Sequence, residues 1–282
     1  MKMLVFETAK EVQRYRSELN SRQASLGFVP TMGALHQAHM ALAHRAKAEN
    51  DAVMVSIFVN PTQFNNTEDL ERYPRRNKAD LALLKKEGVH AAYLPSTEEM
   101  YQGMVQSETI NLTGLDRGME GEYRPGHFPG VATIIRRFFA QIKPDRAYFG
   151  EKDYQQLRVV EHLTEQLQLG VQVVGCPTER SPEGLAMSSR NYRLSNQGLK
   201  EALDIVKNIR WAQQHWQELS PQALKAAITE RFASSSLDLE YVEIARPDTM
   251  QPLGSWEGVP GARIFLAAFC EGVRLIDNDK LF

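Results

Sequence analysis

Two imidazoles three residues apart, His36 and His39, stand in the stretch Val29-Pro30-Thr31-Met32-Gly33-Ala34-Leu35-His36-Gln37-Ala38-His39. The apolar run Gly27-Phe28-Val29 before them and residues 40–46 after them read as a strand leading into a helix. The first amides of such a helix lack intrahelical partners and carry the positive end of its dipole, which suits a phosphate; side chains three apart are neighbours on its surface. On its own the pair fits a phosphate site, a capped helix start or two ligands of a zinc ion. Two further polar clusters have complementary chemistry. Gly150-Glu151-Lys152-Asp153 supplies a flexible ammonium, and Met187-Ser188-Ser189-Arg190-Asn191 a guanidinium fork with hydroxyls and amides. Together these groups are what a nucleoside triphosphate needs.

Such clusters must be brought to one edge by the elements that carry them. Residues 52–59 are nearly continuous in apolar and β-branched types, as a parallel strand covered on both faces requires, and Asn60-Pro61 ends the run and leaves Gln63 just beyond it. Residues 8–19 read as an amphipathic helix, 77–86 as a helix closed by Gly88, 89–94 as a strand and 108–112 as a short strand. The glycine-rich span 114–130 reads as a surface excursion, followed by a helix at 131–142, a strand at 146–149, a helix at 155–169 and a strand at 171–174. This alternation predicts an α/β fold with a doubly wound parallel sheet, whose ligands bind at the carboxyl ends of its strands. Beyond Asn191 the pattern changes to helices at 197–219 and 223–232 and strands at 239–244, 263–270 and 273–276, a smaller α+β unit. The boundary is expected near Thr178, giving domains 1–178 and 179–282.

Composition narrows the class. The 282 residues carry 33 Lys and Arg against 35 Asp and Glu, a net charge of −2 that gives no reason to expect nucleic acid or a membrane surface as partner. The two cysteines, Cys176 and Cys270, form neither a disulfide framework nor a metal knuckle and read as inert small hydrophobes. No apolar run approaches the roughly 18–20 residues of a membrane span. A soluble, untargeted, cytoplasmic protein is expected.

The blocks Pro30-Thr31-Met32-Gly33-Ala34-Leu35-His36-x-x-His39, Phe58-Val59-Asn60-Pro61-x-Gln63-Phe64, Tyr73-Pro74-Arg75 and Arg124-Pro125-Gly126-His127-Phe128 fall in order with three more. These are Phe149-Gly150-Glu151-Lys152-Asp153-Tyr154-Gln155-Gln156-Leu157, Met187-Ser188-Ser189-Arg190-Asn191 and Arg274-Leu275-Ile276-Asp277-Asn278. From about residue 26 to the end, their order and spacing resemble the pantothenate synthetases, the pantoate-β-alanine ligases.

The resemblance implies a Rossmann-like nucleotidyltransferase fold whose smaller C-terminal domain closes as a lid. The implied reaction is an ATP-dependent ligation of (R)-pantoate with β-alanine through a pantoyl adenylate, giving pantothenate, AMP and pyrophosphate. It implies that Met32, Gly33, Ala34, Leu35, His36, Gln37, Ala38 and His39 line the ATP site, with His39 the phosphate donor and His36 its companion. Gly150 and Asp153 would face the ribose beside Glu151, Glu179 would meet adenine through its main chain, and Lys152, Ser188, Ser189 and Arg190 would take the phosphates next to Met187. Gln63 and Gln156 would hold pantoate, Gln63 also β-alanine, and Asp80 would contact Mg2+. A homodimer is implied, with no nucleic acid or membrane partner. Two rivals remain at this level: another adenylyltransferase, or a catalytically impaired nucleotide-binding regulatory protein of the same fold.

One departure from the family pattern is testable. Family members usually have glycine between the two histidines, and Ala38 adds a methyl group there. Such a methyl in a tight contact costs about 1–3 kcal/mol. Ala38→Gly is expected to lower the apparent KM for ATP in steady-state assays, and an unchanged or higher value would count against crowding by this residue.

Overall fold

The computed structural model describes residues 3–282. Its main sheet has the strands β1 (Leu4–Phe6), β2 (Leu26–Thr31), β3 (Ala52–Ile57), β4 (Ala91–Tyr93), β5 (Arg146–Gly150) and β6 (Gln172–Cys176). Their spatial order is β1-β4-β3-β2-β5-β6 and every pairing is parallel. All of β3 is buried, which is why its sequence is an unbroken apolar run. From β2 the chain winds one way to β3 and β4, and from β5 the other way to β6. The β2–β5 neighbourhood is therefore the topological switch point. Among the described residues β2 pairs with β5 only through Gly27↔Arg146 and Phe28↔Ala147, whereas it pairs with β3 from Leu26↔Ala52 to Thr31↔Ile57. The two central strands thus part toward their carboxyl ends.

One face of this sheet is covered by the helix Gln37–Glu49, whose Met40, Ala43 and Ala46 pack among Val29, Val53, Val55 and Tyr148. The helix His127–Ile142 brings Phe138 against Phe28, Phe58 and Tyr93, with ring centroids 5.5 to 6.3 Å apart. Burial pushes the Cys176 thiol up to about 11, so it stays a protonated, unreactive core side chain at neutral pH.

The chain divides into two units, the first running to Glu151 and resuming over Gln155–Pro177, the second taking Lys152–Tyr154 and Thr178–Phe282. The second has an antiparallel sheet of β7 (Asp238–Ala245), β8 (Arg263–Cys270) and β9 (Val273–Lys280), in that order. Ile205 and Ile209 of the helix Leu203–His215 and Leu224 and Ile228 of the helix Pro221–Phe232 pack with Ile264 and Leu266 of β8. Among the described residues no helix is long and apolar enough to cross a membrane.

Several elements differ from expectation. Residues 108–112 form no strand: the Glu108 N–H donates to Thr133 Oγ1 at 2.8 Å instead of joining a ladder. The Glu108 carboxylate receives the Arg136 guanidinium at 2.5 and 2.6 Å, which holds its pKa below the ordinary value. The span 114–130 is no surface excursion either, because it contains the helix Met119–Tyr123, with Met119 and Glu120 buried, and the start of His127–Ile142. Its glycines answer to close packing: a Cβ on Gly121 would stand 1.8 Å from the Asp116 oxygen. The expected helix over 197–219 is two, Asn196–Glu201 and Leu203–His215. The last strand runs on to Lys280, since Asp277 and Asn278 are polar yet buried and hydrogen-bonded.

Gly130 ties this fold to the site, because a Cβ there would stand 2.4 Å from the Thr62 oxygen and 2.7 Å from the Gln63 Cα. Backbone cannot yield as a side chain does. Gly130→Ala is expected to lower the unfolding free energy by about 1–3 kcal/mol in denaturant melts, and a parent-like midpoint would show that the approach is looser than described.

Candidate active site

Beyond Thr31 the chain turns through Gly33 and Ala34, whose φ angles of 82° and 49° are both left-handed. For alanine this conformation costs about 1–2 kcal/mol. Asp80, in the first turn of the helix Asn77–Lys86, supplies the compensation. Its Oδ2 accepts the Ala34 N–H and its Oδ1 the Leu35 N–H, each at 2.9 Å. Thr31 Oγ1 adds a third link by accepting the Gly33 N–H at 3.2 Å. Asp80 is 3% exposed, and each of its oxygens accepts one main-chain amide, so its carboxylate is turned to the backbone of this turn; the magnesium contact expected of it is not tested by this geometry. The same bonds take the Ala34 and Leu35 amides away from any phosphate, and the Leu35 side chain lies in the core.

His36 is the N-cap of the helix Gln37–Glu49, and its N–H donates to Nδ1 of His39 at 3.3 Å. The rings lie 4.1 Å apart, tilted by 41°. A histidine accepting at Nδ1 in its neutral form carries its proton on Nε2, so this bond makes His39 Nε2 a donor. Gln37 is exposed, whereas Ala38 and His39 are half-buried. Among the described residues no set of three His, Cys, Asp or Glu is arranged to hold a metal, so the zinc reading of the pair lacks a third ligand.

Met32 and Gln63 meet: Gln63 Nε2 donates to Met32 Sδ at 3.1 Å. Gln63 closes the short 3-10 turn Pro61–Gln63 and is held on every side. Its Oε1 accepts from Asn60 Nδ2 at 3.2 Å, and its main-chain oxygen accepts from His127 Nδ1 at 2.9 Å. Asn60 in turn donates to the Gly130 oxygen at 3.1 Å and accepts from the Tyr101 hydroxyl at 2.5 Å. With Nδ1 of His127 donating, Nε2 accepts from Arg124 at 3.1 Å. The adjacent glutamines of the helix Tyr154–Gln166 have different tasks. Gln155 is buried and bonds the Glu120 N–H and the Leu115 oxygen, while Gln156 is half-buried and its side chain makes no hydrogen bond among the described residues.

Gly150 ends β5 opposite Cys176, and a Cβ there would meet nothing within 4 Å, so the fold itself does not demand glycine. Glu151–Asp153 is a 3-10 turn, with Lys152 Nζ 3.5 Å from Asp153 Oδ1. In the second unit the carbonyl of the exposed Glu179 accepts the Met187 N–H at 2.9 Å, closing a small hairpin at the Arg180↔Ala186 bridge. Ser188 caps the 3-10 turn Ser189–Arg193 by accepting the Arg190 N–H at 3.2 Å, and Asn191 Nδ2 donates to the Ala186 oxygen at 3.0 Å. These side chains are half-buried.

Thus Met32 joins Gln63, His36 joins His39, and Ala34 and Leu35 join Asp80, while Lys152 lies by Asp153 and Glu179 by Met187. Sequence reasoning gave no role to Asn60 and His127, which bond Gln63, to Tyr101, which bonds Asn60, or to Gln155, which bonds Leu115 and Glu120. Asn60 and His127 stood in recognisable blocks without a role; Tyr101 left no signal, because its partner is 41 residues away.

A family model for pantoate-beta-alanine ligase matches residues 4–280. A pantothenate synthetase of Christiangramia forsetii is 42% identical over 281 residues, 99% of each chain. The crystal structure of pantothenate synthetase from Thermus thermophilus superposes with a TM-score of 0.90 at 41% identity, covering 99% of this chain and 100% of that one. The pantoate-beta-alanine ligase from Francisella tularensis, described as complexed with beta-gamma ATP and beta-alanine, gives 0.81 at 35% identity over 99% and 98% of the chains.

The role of Asp80 as a clamp is open to test. Asp80→Asn keeps one acceptor but sets an NH2 group against a main-chain N–H, and leaving a buried donor unmet costs about 1–3 kcal/mol. A loss of that size in unfolding free energy is expected, and unchanged stability would remove the clamp.

Proposed function

The chain belongs to the pantoate-β-alanine ligase family and is an ATP-dependent ligase that joins pantoate to β-alanine through an amide bond, and we propose that it works through a pantoyl adenylate formed beside the carboxyl ends of β2 and β5. In the first half-reaction a pantoate carboxylate oxygen attacks the α-phosphorus of ATP and pyrophosphate leaves. In the second the β-alanine amine attacks the acyl carbon, loses a proton and expels AMP.

The observation that carries this reading is the contact of Gln63 with Met32. It joins the acid-binding glutamine to the phosphate-binding stretch, so the reacting carboxylate and the nucleotide are held by neighbouring groups. Two anions must meet there, and preoriented donors lower their repulsion and stabilise the charge that develops on phosphate. His39 donates from Nε2 to the phosphates, with His36 fixing its tautomer. Lys152, Ser188, Ser189 and Arg190 take further phosphate oxygens, Gly150 and Asp153 the ribose, and the Glu179 main chain the adenine. Gln63 and Gln156 hold pantoate, and Gln63 guides β-alanine. The open space beyond the Gly150 Cα supports its place against the nucleotide, since packing does not explain the missing side chain.

Asp80 we assign to the support of the Gly33-Ala34 turn, and magnesium to the nucleotide that it accompanies as a substrate. A homodimer in the cytoplasm completes the reading; two free, buried cysteines agree with a reducing compartment. No observation favours the regulatory protein or another adenylyltransferase.

AMP release is the direct measurement. AMP and pantothenate are expected in equal amounts only when ATP, pantoate and β-alanine are all present. His39→Ala and Lys152→Ala should each slow pyrophosphate release from ATP and pantoate by about tenfold or more. Near-parent rates in either variant would remove that residue from phosphate binding.

A further inference from the structure

The block Arg274-Leu275-Ile276-Asp277-Asn278 lies on β9 and takes no part in the chemistry above. Asn278 is buried, opposite Phe265 in the β8–β9 ladder. Its Nδ2 donates to the main-chain oxygen of Lys152 at 2.7 Å, and its Oδ1 accepts from Nη1 of Arg263. The Arg263 guanidinium also lies 3.9 Å from the centre of the Tyr154 ring, which stands 6.1 Å from the ring of Phe265. Among the described residues Arg263 is the largest of the fully buried side chains, so a cation is enclosed here.

A buried guanidinium is an odd choice for stability alone, since apolar residues of similar volume often pack at least as stably. Its effect is orientation. An asparagine amide can face either way, but a guanidinium donating to Oδ1 fixes the oxygen on that side and turns the NH2 group toward Lys152. The main chain is then held at the Lys152 carbonyl and, two residues on, at the Tyr154 ring. Lysine is a point charge on a flexible stem, so anchoring its main chain is what narrows the region its ammonium can reach.

The neighbouring residue does similar work. The Asp277 carboxylate accepts the Asn278 N–H at 2.8 Å and the Arg180 guanidinium at 2.6 and 3.0 Å. Arg180 begins the hairpin that leads to Ser188 and Arg190. Two adjacent residues of β9 thus hold the main chain of Lys152 and the root of the serine-arginine turn.

We propose that Asn278, with its amide oriented by Arg263, is a positioning residue for Lys152 in the adenylation step. It rests on the reading of Lys152 as a phosphate donor. Asn278→Ser shortens the side chain, removes the bond to the Lys152 oxygen and buries no new charge. In the full chain, pre-steady-state pyrophosphate release at saturating ATP and pantoate should slow at least tenfold, with the KM for pantoate within twofold of the parent and the chain still folded at the assay temperature. Added to Lys152→Ala, the same substitution should change the rate less than twofold, because its effect passes through that lysine. A parent rate in Asn278→Ser, or losses that multiply in the double variant, would overturn the proposal. If Asn278→Ser melts far below the parent, Asn278→Gln takes its place under the same criteria, since it keeps the amide but displaces it by one methylene. Should Lys152→Ala itself adenylate normally, the phosphate reading fails and this proposal with it; a sensitive Lys152 beside an insensitive Asn278 sinks the proposal alone.

Discussion

The carboxylate of Asp80 on the amides of Ala34 and Leu35 is the interaction on which the turn between β2 and the histidine pair depends. Without it a left-handed alanine after a left-handed glycine would be poorly compensated, and the chain would lack its sharp exit from β2. That exit delivers His36 to the N-cap of the next helix, where its N–H reaches His39 and sets the tautomer. A buried acid from a helix further along the chain thus holds the turn that precedes the two histidines.

The same logic governs Gln63. Its side chain touches Met32 and Asn60, its carbonyl faces His127, and Gly130 lets the helix His127–Ile142 come close enough for Asn60 to reach it. A long, flexible amide gains a single pose from neighbours that touch no reacting atom. Under the proposed function these supports would matter as much as the donors, since rates in such sites depend on positioning.

In the second unit Asp277 and Asn278 of β9 are buried and hydrogen-bonded. Asp277 pairs with Arg180, and Asn278 with Arg263 and Lys152. Burial pushes the Asp277 carboxyl up, against the downward pull of the Arg180 guanidinium. Polar groups in such positions are costly unless fully bonded, which explains why each has a partner on a different segment. Lys152–Tyr154 belong with the C-terminal residues, although they follow closely on β5.

Local periodicity and composition made part of this protein readable from its residue order. The apolar run of β3, the helix Asn77–Lys86 and the strand Arg263–Cys270 were legible because each element's pattern is set by its own burial. The motif blocks were likewise legible, and they pointed to the ligase family. Illegible were the glycine-rich span, where Gly121 and Gly130 make room for backbone rather than turn at the surface, and residues 108–112, whose alternation serves no ladder. So was the extent of β9, whose buried polar residues disguise it as loop. It takes the folded chain to show that Asp80 clamps a turn, that Gln155 faces inward while Gln156 does not, and that Asn278 holds Lys152. Each of these depends on a partner far along the chain, and a hydrogen bond across that separation leaves no period in the sequence.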